Sequence, residues 1–102
     1  MIHLPKHQRE AIAEACRRSG VARMYLFGSA LREDFRAGDS DVDLLVEFGP
    51  MSPHQLADAY FDLLDSLRSI LAAPIDLVMA DAVENPYIAA EIQRTRQIVY
   101  AA

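Results

Sequence analysis

Residues 21–48 read VARMYLFGSALREDFRAGDSDVDLLVEF, and the succession of elements in this stretch decides the fold. Val21 to Phe27 is an apolar run that stops at Gly28-Ser29, which reads as a strand followed by a break. Ala30 to Phe35 is expected to form a short helix, and Ala37 to Ser40 a turn. Val42 to Phe48 is a second strand. Side chains alternate along a strand, so Val42, Leu44, Val46 and Phe48 share the core face, and Asp41 and Asp43 share the opposite one.

Working outward, Pro5 suits the first turn of a helix. Ala11, Ile12, Ala15 and Cys16 mark its apolar face, and Gly20 fits its C-terminal cap. Beyond the Gly49-Pro50 break, Ser52 and Gln55 have capping-box spacing, with Pro53 at the first helical position. Leu56, Tyr60, Leu63, Leu64, Leu67 and Leu71 then recur at three- and four-residue steps, the clearest helix in the chain. Ile75 to Met79 is a third strand. Asn85-Pro86 opens a last helix that runs to about Arg96, and Gln97 to Tyr100 is a short terminal strand or a tail. The pattern implies a single α/β (α+β) domain over residues 1–102, with a small mixed β-sheet flanked by helices. Strand order stays open.

The chain has 102 residues, 52% of them hydrophobic and 25% charged, with a net charge of -5. That is ordinary globular composition. The acidic balance argues against direct binding of bare nucleic acid, which needs clustered Lys and Arg. The one cysteine, Cys16, excludes an internal disulfide and reads as a small buried apolar residue. No secretory h-region or membrane-length apolar run is visible, so the expected location is cytoplasmic.

The acids carry the chemistry. Asp41 and Asp43 sit side by side, and carboxylates so placed repel unless protonated or neutralised. A cation is the simplest remedy, and oxygen ligands suit Mg²⁺ or Mn²⁺ better than zinc. Asp76 repeats the arrangement, because Ile75, Leu77 and Met79 take the other face of its strand. If the two strands are neighbours, three carboxylates meet, the minimum for a site with two metal ions roughly 3.5–4 Å apart. Gly28 allows close backbone approach, and Ser29 adds N–H and hydroxyl donors suited to phosphate. Arg32, one helical turn on, is placed to reach a triphosphate.

Two other motifs fail. Asp39-x-Asp41-x-Asp43 resembles the start of a calcium loop, but Leu44 and Pro50 stand where that loop needs Gly and Glu. A P-loop would need Gly-Lys-Ser/Thr after Gly28. His3, His7 and His54 read as solvated. Asp58, Asp62 and Asp65 form a polar helix face. Arg17, Arg18, Arg94 and Arg96 suit helix C-termini. Tyr60, Tyr87 and Tyr100 are expected to pack.

The run Gly28-Ser29-Ala30-Leu31-Arg32 … Asp39-Ser40-Asp41-Val42-Asp43-Leu44-Leu45-Val46, with Asp76 in Ile75-Asp76-Leu77-Val78, resembles the minimal nucleotidyltransferase (MNT) family. This is the smallest branch of the polymerase-beta-like nucleotidyltransferase fold, and the resemblance extends from the first helix to the last. It implies that Asp41 and Asp43 ligate two Mg²⁺ ions. Asp76 would bind the catalytic ion and help deprotonate the acceptor. Gly28 and Ser29 would hold the triphosphate of ATP, and Arg32 matches an arginine common at that place. Two departures fall together: Glu33 stands where many relatives have Gly, and eleven residues separate Ser29 from Asp41, about one more than the pattern leads one to expect. The resemblance further implies an antitoxin paired with a HEPN-domain ribonuclease toxin, which it modifies by transferring AMP to a tyrosine hydroxyl. Two alternatives stay open. The protein could neutralise the toxin by binding alone, or transfer the nucleotide to a small molecule.

Overall fold

Local signals start the helices where the sequence places them. At the head of the longest one, the Gln55 amide donates to the Ser52 hydroxyl at 3.2 Å and the Ser52 amide donates to the Gln55 side chain at 3.0 Å. This is a complete capping box, with Pro53 as the first helical residue. The helix it opens, α2 (Pro53–Leu71), buries Leu63 and Leu67 fully. Tyr60, Leu64 and Leu71 pack around them. The first helix, α1 (Lys6–Arg18), follows Pro5, which stands at its N-cap position without a side-chain hydrogen bond, and buries Ile12, Ala15 and Cys16. Cys16 is fully buried, which pushes its thiol up to about 12. It is an inert core residue, as expected. The last helix, α3 (Pro86–Thr95), begins at Asn85, whose side chain accepts from the Tyr87 and Ile88 amides.

The computed structural model describes residues 1–102, and its four strands form one mixed sheet. They are β1 (Val21–Leu26), β2 (Val42–Phe48), β3 (Ile75–Met79) and β4 (Gln97–Ala101), in the order β3-β2-β1-β4. The parallel pair is β2 with β3, joined through α2; β1 runs antiparallel to both β2 and β4. The terminal residues are therefore a strand rather than a tail.

The sheet is covered unequally. Val42, Leu44 and Val46 face the main core with Met24, Leu26, Ile75 and Leu77, beneath α1 and α2. On the other face Tyr25, Leu45 and Ile92 make a small second cluster under α3. Arg96 lies over the Tyr25 ring, 4.1 Å from its centroid. The part of this face near Asp41, Asp43 and Asp76 is left open. No helix is long and apolar enough to cross a membrane.

One expected element is different. Residues 30–35 do not form a helix: a single 3₁₀ turn, Gly28–Leu31, ends at Arg32, whose backbone is extended at φ -77, ψ 147. The turn is held instead by Ser29, which is committed to the β2 strand as described below.

The C-cap of α2 is Ala72, in the left-handed conformation at φ 50. A side chain is disfavoured there by about 1 kcal/mol, and glycine is the usual occupant. Ala72→Gly should therefore raise stability by about 0.5–1 kcal/mol, read as an increase of roughly 3–6 °C in Tm by calorimetry.

Candidate active site

The open end of the sheet collects the acids. The parallel register sets Asp43 directly beside Asp76, across a strand spacing of about 4.8 Å. Asp41 precedes β2 and is exposed; Asp43 is half-buried and Asp76 exposed. Partial burial first, then the charge of Asp43 and its hydrogen bond, then the charge of Asp41, hold the Asp76 carboxyl above the ordinary range. At such a separation in a water-like setting, two like charges cost on the order of 1 kcal/mol. The fold can carry that cost, and a bound cation would reverse its sign.

Gly28 and Ser29 close the site from the β1 side. The Ser29 amide donates to Asp43 Oδ2 at 2.9 Å. The Ser29 hydroxyl lies 2.8 Å from the same oxygen and 2.7 Å from the Asp41 carbonyl, and its one proton serves one of them at a time. Gly28 has φ +56, and a Cβ there would stand 2.6 Å from Asp43 Oδ2. Only glycine permits this approach.

Arg32 is not one helical turn along a helix, because that helix is absent. Its guanidinium forks onto Asp34 at 3.1 and 3.0 Å, and its carbonyl accepts from the Met1 amino group at 2.7 Å. Both members of the Arg32–Asp34 pair are largely exposed. Such pairs are worth about 0–1 kcal/mol, so the guanidinium can exchange partners at little cost.

Three carboxylates with hydroxyl and amide donors nearby are a hard-oxygen set, chemically suited to Mg²⁺. They are not drawn into a ready-made cage: no trio of His, Cys, Asp or Glu side chains stands close enough to hold a metal ion. The physical reason is visible. Asp43 is turned toward Ser29, and Asp41, ahead of β2, is exposed. The donor identity fits a divalent cation, and closure of the set requires the charge it would bring.

The sequence reading missed the opposite wall. Tyr87 does not pack but is 85% exposed. With Ile88, on the first turn of α3, it borders a cavity of about 620 Å³ whose other side is Phe27, Gly28, Ser29 and Arg32. An aromatic–aliphatic pair just after a helix cap was the available signal. Tyr60, by contrast, is half-buried and donates to the Leu77 carbonyl at 2.6 Å.

Comparison with known proteins agrees with the class that this sheet and acid arrangement define. The model of the nucleotidyltransferase domain matches residues 9–99, and the chain belongs to that family. It is a nucleotidyltransferase with an α+β fold. Among relatives, it is 38% identical over 73 residues to MJ0128 of Methanocaldococcus jannaschii, provisionally named a protein adenylyltransferase, covering 72% of this chain and 70% of the relative. Among solved structures, it matches one described provisionally as a minimal nucleotidyltransferase, with TM-score 0.72 and 29% identity over 90% of this chain and 89% of the other. A second match is a tri-AMPylated Shewanella oneidensis HEPN toxin in complex with MNT antitoxin. It has TM-score 0.62 and 19% identity, covers 95% of this chain and 72% of the other, and speaks to the fold alone.

Two outcomes follow from the geometry. Gly28→Ala should lose stability by about 1–3 kcal/mol, from positive φ and the clash with Asp43, measured by urea unfolding. Asp76→Asn should melt roughly 1–3 °C above wild type at neutral pH in chelator, because it removes the like charge. A carboxyl whose folded pKa is raised loses stability as pH rises from the ordinary carboxylate range through the folded value. The advantage of the variant should therefore shrink at pH 4, and adding Mg²⁺ should raise the Tm of wild type more than that of the variant.

Proposed function

We propose that this chain is a Mg²⁺-dependent protein adenylyltransferase that moves AMP from ATP to a tyrosine hydroxyl of a HEPN-type ribonuclease toxin, and thereby acts as its antitoxin. The observation that carries the reading is the Asp43–Asp76 register with Gly28-Ser29 in hydrogen-bonding reach of Asp43, in a chain of this family. The toxin as partner, forming a complex with this chain, is supported by the structural likeness to an MNT antitoxin bound to an AMPylated HEPN toxin. The M. jannaschii relative supports protein as the acceptor.

Asp41, Asp43 and Asp76 would hold two Mg²⁺ ions, which supply neutralisation of the triphosphate charge and a more acidic acceptor hydroxyl. The chain's own residues do the rest. The Ser29 amide and hydroxyl hold phosphate oxygens once Asp43 turns from them. Gly28 keeps the space above Asp43 clear. Arg32, released from Asp34, binds the outer phosphates. Asp76 takes the acceptor proton. The acceptor oxygen bonds to the α-phosphorus as the bond to the bridging oxygen breaks, and pyrophosphate leaves.

The test is the intact mass of the partner HEPN protein after incubation with this chain, ATP and Mg²⁺. Wild type should add mass in whole AMP units, while Asp43→Ala should lower the rate by about 10³-fold or more, as expected for loss of a residue that would hold the metal. Full-rate transfer by Asp43→Ala would refute the site. A stable complex with no mass gain would mean neutralisation by binding alone.

A further inference from the structure

We propose that Arg9 is a positioning residue for the phosphate-holding turn, acting through a strap formed by residues 1–4. The inference rests on the reading of Gly28-Ser29 as the triphosphate site and adds to it a side chain that does not touch the ligand.

Four observations carry it. First, main-chain hydrogen bonds join the strap to the turn. The Ile2 amide donates to the Ala30 carbonyl at 2.8 Å, and the Met1 nitrogen donates to the Arg32 carbonyl at 2.7 Å. Ala30 directly follows Ser29 and is fully buried. The strap thus grips the turn just beyond Ser29, while Asp43 and the Asp41 carbonyl grip Ser29 itself.

Second, Arg9 fixes the strap. Arg17, Arg23, Arg32 and Arg94 each face a carboxylate. Arg9 instead donates its Nε–H to the Leu4 carbonyl at 3.0 Å. It does so near the N-terminal end of α1, whose first turn holds no acid and where the helix dipole disfavours a cation. The helix gains nothing from a positive charge at that place; the strap gains a clamp.

Third, packing alone does not hold the strap. Leu4 is buried in the core and Ile2 packs against it. A cavity of about 150 Å³ nevertheless lies between residues 1–4 and Leu26, Ile98 and Val99. A backbone with open space beside it keeps its place by hydrogen bonds.

Fourth, the proposed chemistry removes the other anchor of the turn. Once Asp43 turns to the metal, its bonds to the Ser29 amide and hydroxyl are given up. The strap then holds the turn in place. Hydrogen bonds weaken steeply as distance and angle depart from the optimum, so a loosened turn binds phosphate less well.

The test uses two substitutions of nearly equal length. Arg9→Gln sets an N–H donor where the Nε of arginine stood, and Arg9→Met sets a methyl group there; both remove the charge. Both residues suit a helix and Arg9 is exposed, so both variants should fold, with Tm as the check. In isothermal titration with inorganic tripolyphosphate and Mg²⁺, Arg9→Met should weaken binding about fivefold, within the reach of one net hydrogen bond. Arg9→Gln should stay within about twofold of wild type. Hydrogen exchange in the tripolyphosphate complex locates the effect. The Ala30 and Arg32 amides, which close the turn onto the Phe27 and Ser29 carbonyls, should exchange faster in Arg9→Met and at the wild-type rate in Arg9→Gln. Wild-type affinity in Arg9→Met would overturn the proposal. So would equal weakening in both variants, which would mean that Arg9 acts by its charge, and so would weaker binding with unchanged exchange at the turn. Failure of the underlying site looks different: wild type would then bind no tripolyphosphate, or would bind it equally well after Asp43→Ala.

Discussion

Everything at the open end of this sheet depends on one pairing, that of β2 with β3 in parallel, which sets Asp43 beside Asp76. Parallel strands cannot be joined by a tight turn, so the pairing demands a crossover, and α2 supplies it. The same register that brings the acids together on one face brings Val42, Leu44, Ile75 and Leu77 together on the other, where all four are buried. Repulsion between the carboxylates is thus opposed by apolar contact directly behind them. Burying each of those side chains is worth about 1.5–3 kcal/mol, well above the cost of one partly solvated like-charge pair.

Much of this was legible in the sequence, because it depends on short-range rules. Period-two alternation in Val42–Phe48 and Ile75–Met79 assigned each acid to the non-core face before any strand order was known. The caps at Ser52 and Asn85 located two helix starts through side chains that accept from amides two or three residues further along the chain. Strand order was not legible, since nothing local records which strands become neighbours. The Gln97–Tyr100 segment stayed ambiguous for a related reason. It is short and half exposed, and it becomes a strand only because β1 offers it an edge.

The error at residues 30–35 is instructive. Ala30, Leu31, Arg32 and Glu33 have respectable helix propensity, yet the chain leaves the helix after one turn. Ser29 is tied to Asp43 and to the Asp41 carbonyl, and these long-range bonds set the direction of the backbone. Propensity is a weak prior, and a tertiary commitment overrides it. The two departures from the family pattern, Glu33 and the long interval before Asp41, fall in this segment. The exposed rim of α3 was hidden for a different reason. The only local signal was an aromatic–aliphatic pair just after the Asn85 cap, and ring chemistry by itself does not separate a ring that packs from one that stays exposed.

The crossover also sets an order of events in time. Contacts between residues distant in the chain form late, because loop closure must precede their reward. A growing chain therefore carries the Gly28-Ser29 turn, Asp41 and Asp43 well before β3 has been made. Until α2 folds back and Ile75–Met79 docks, the third carboxylate is absent from the site. Ribosomal products truncated before this strand would keep two acids and the serine but lack Asp76. The full acid set thus exists only in a chain that has completed the crossover.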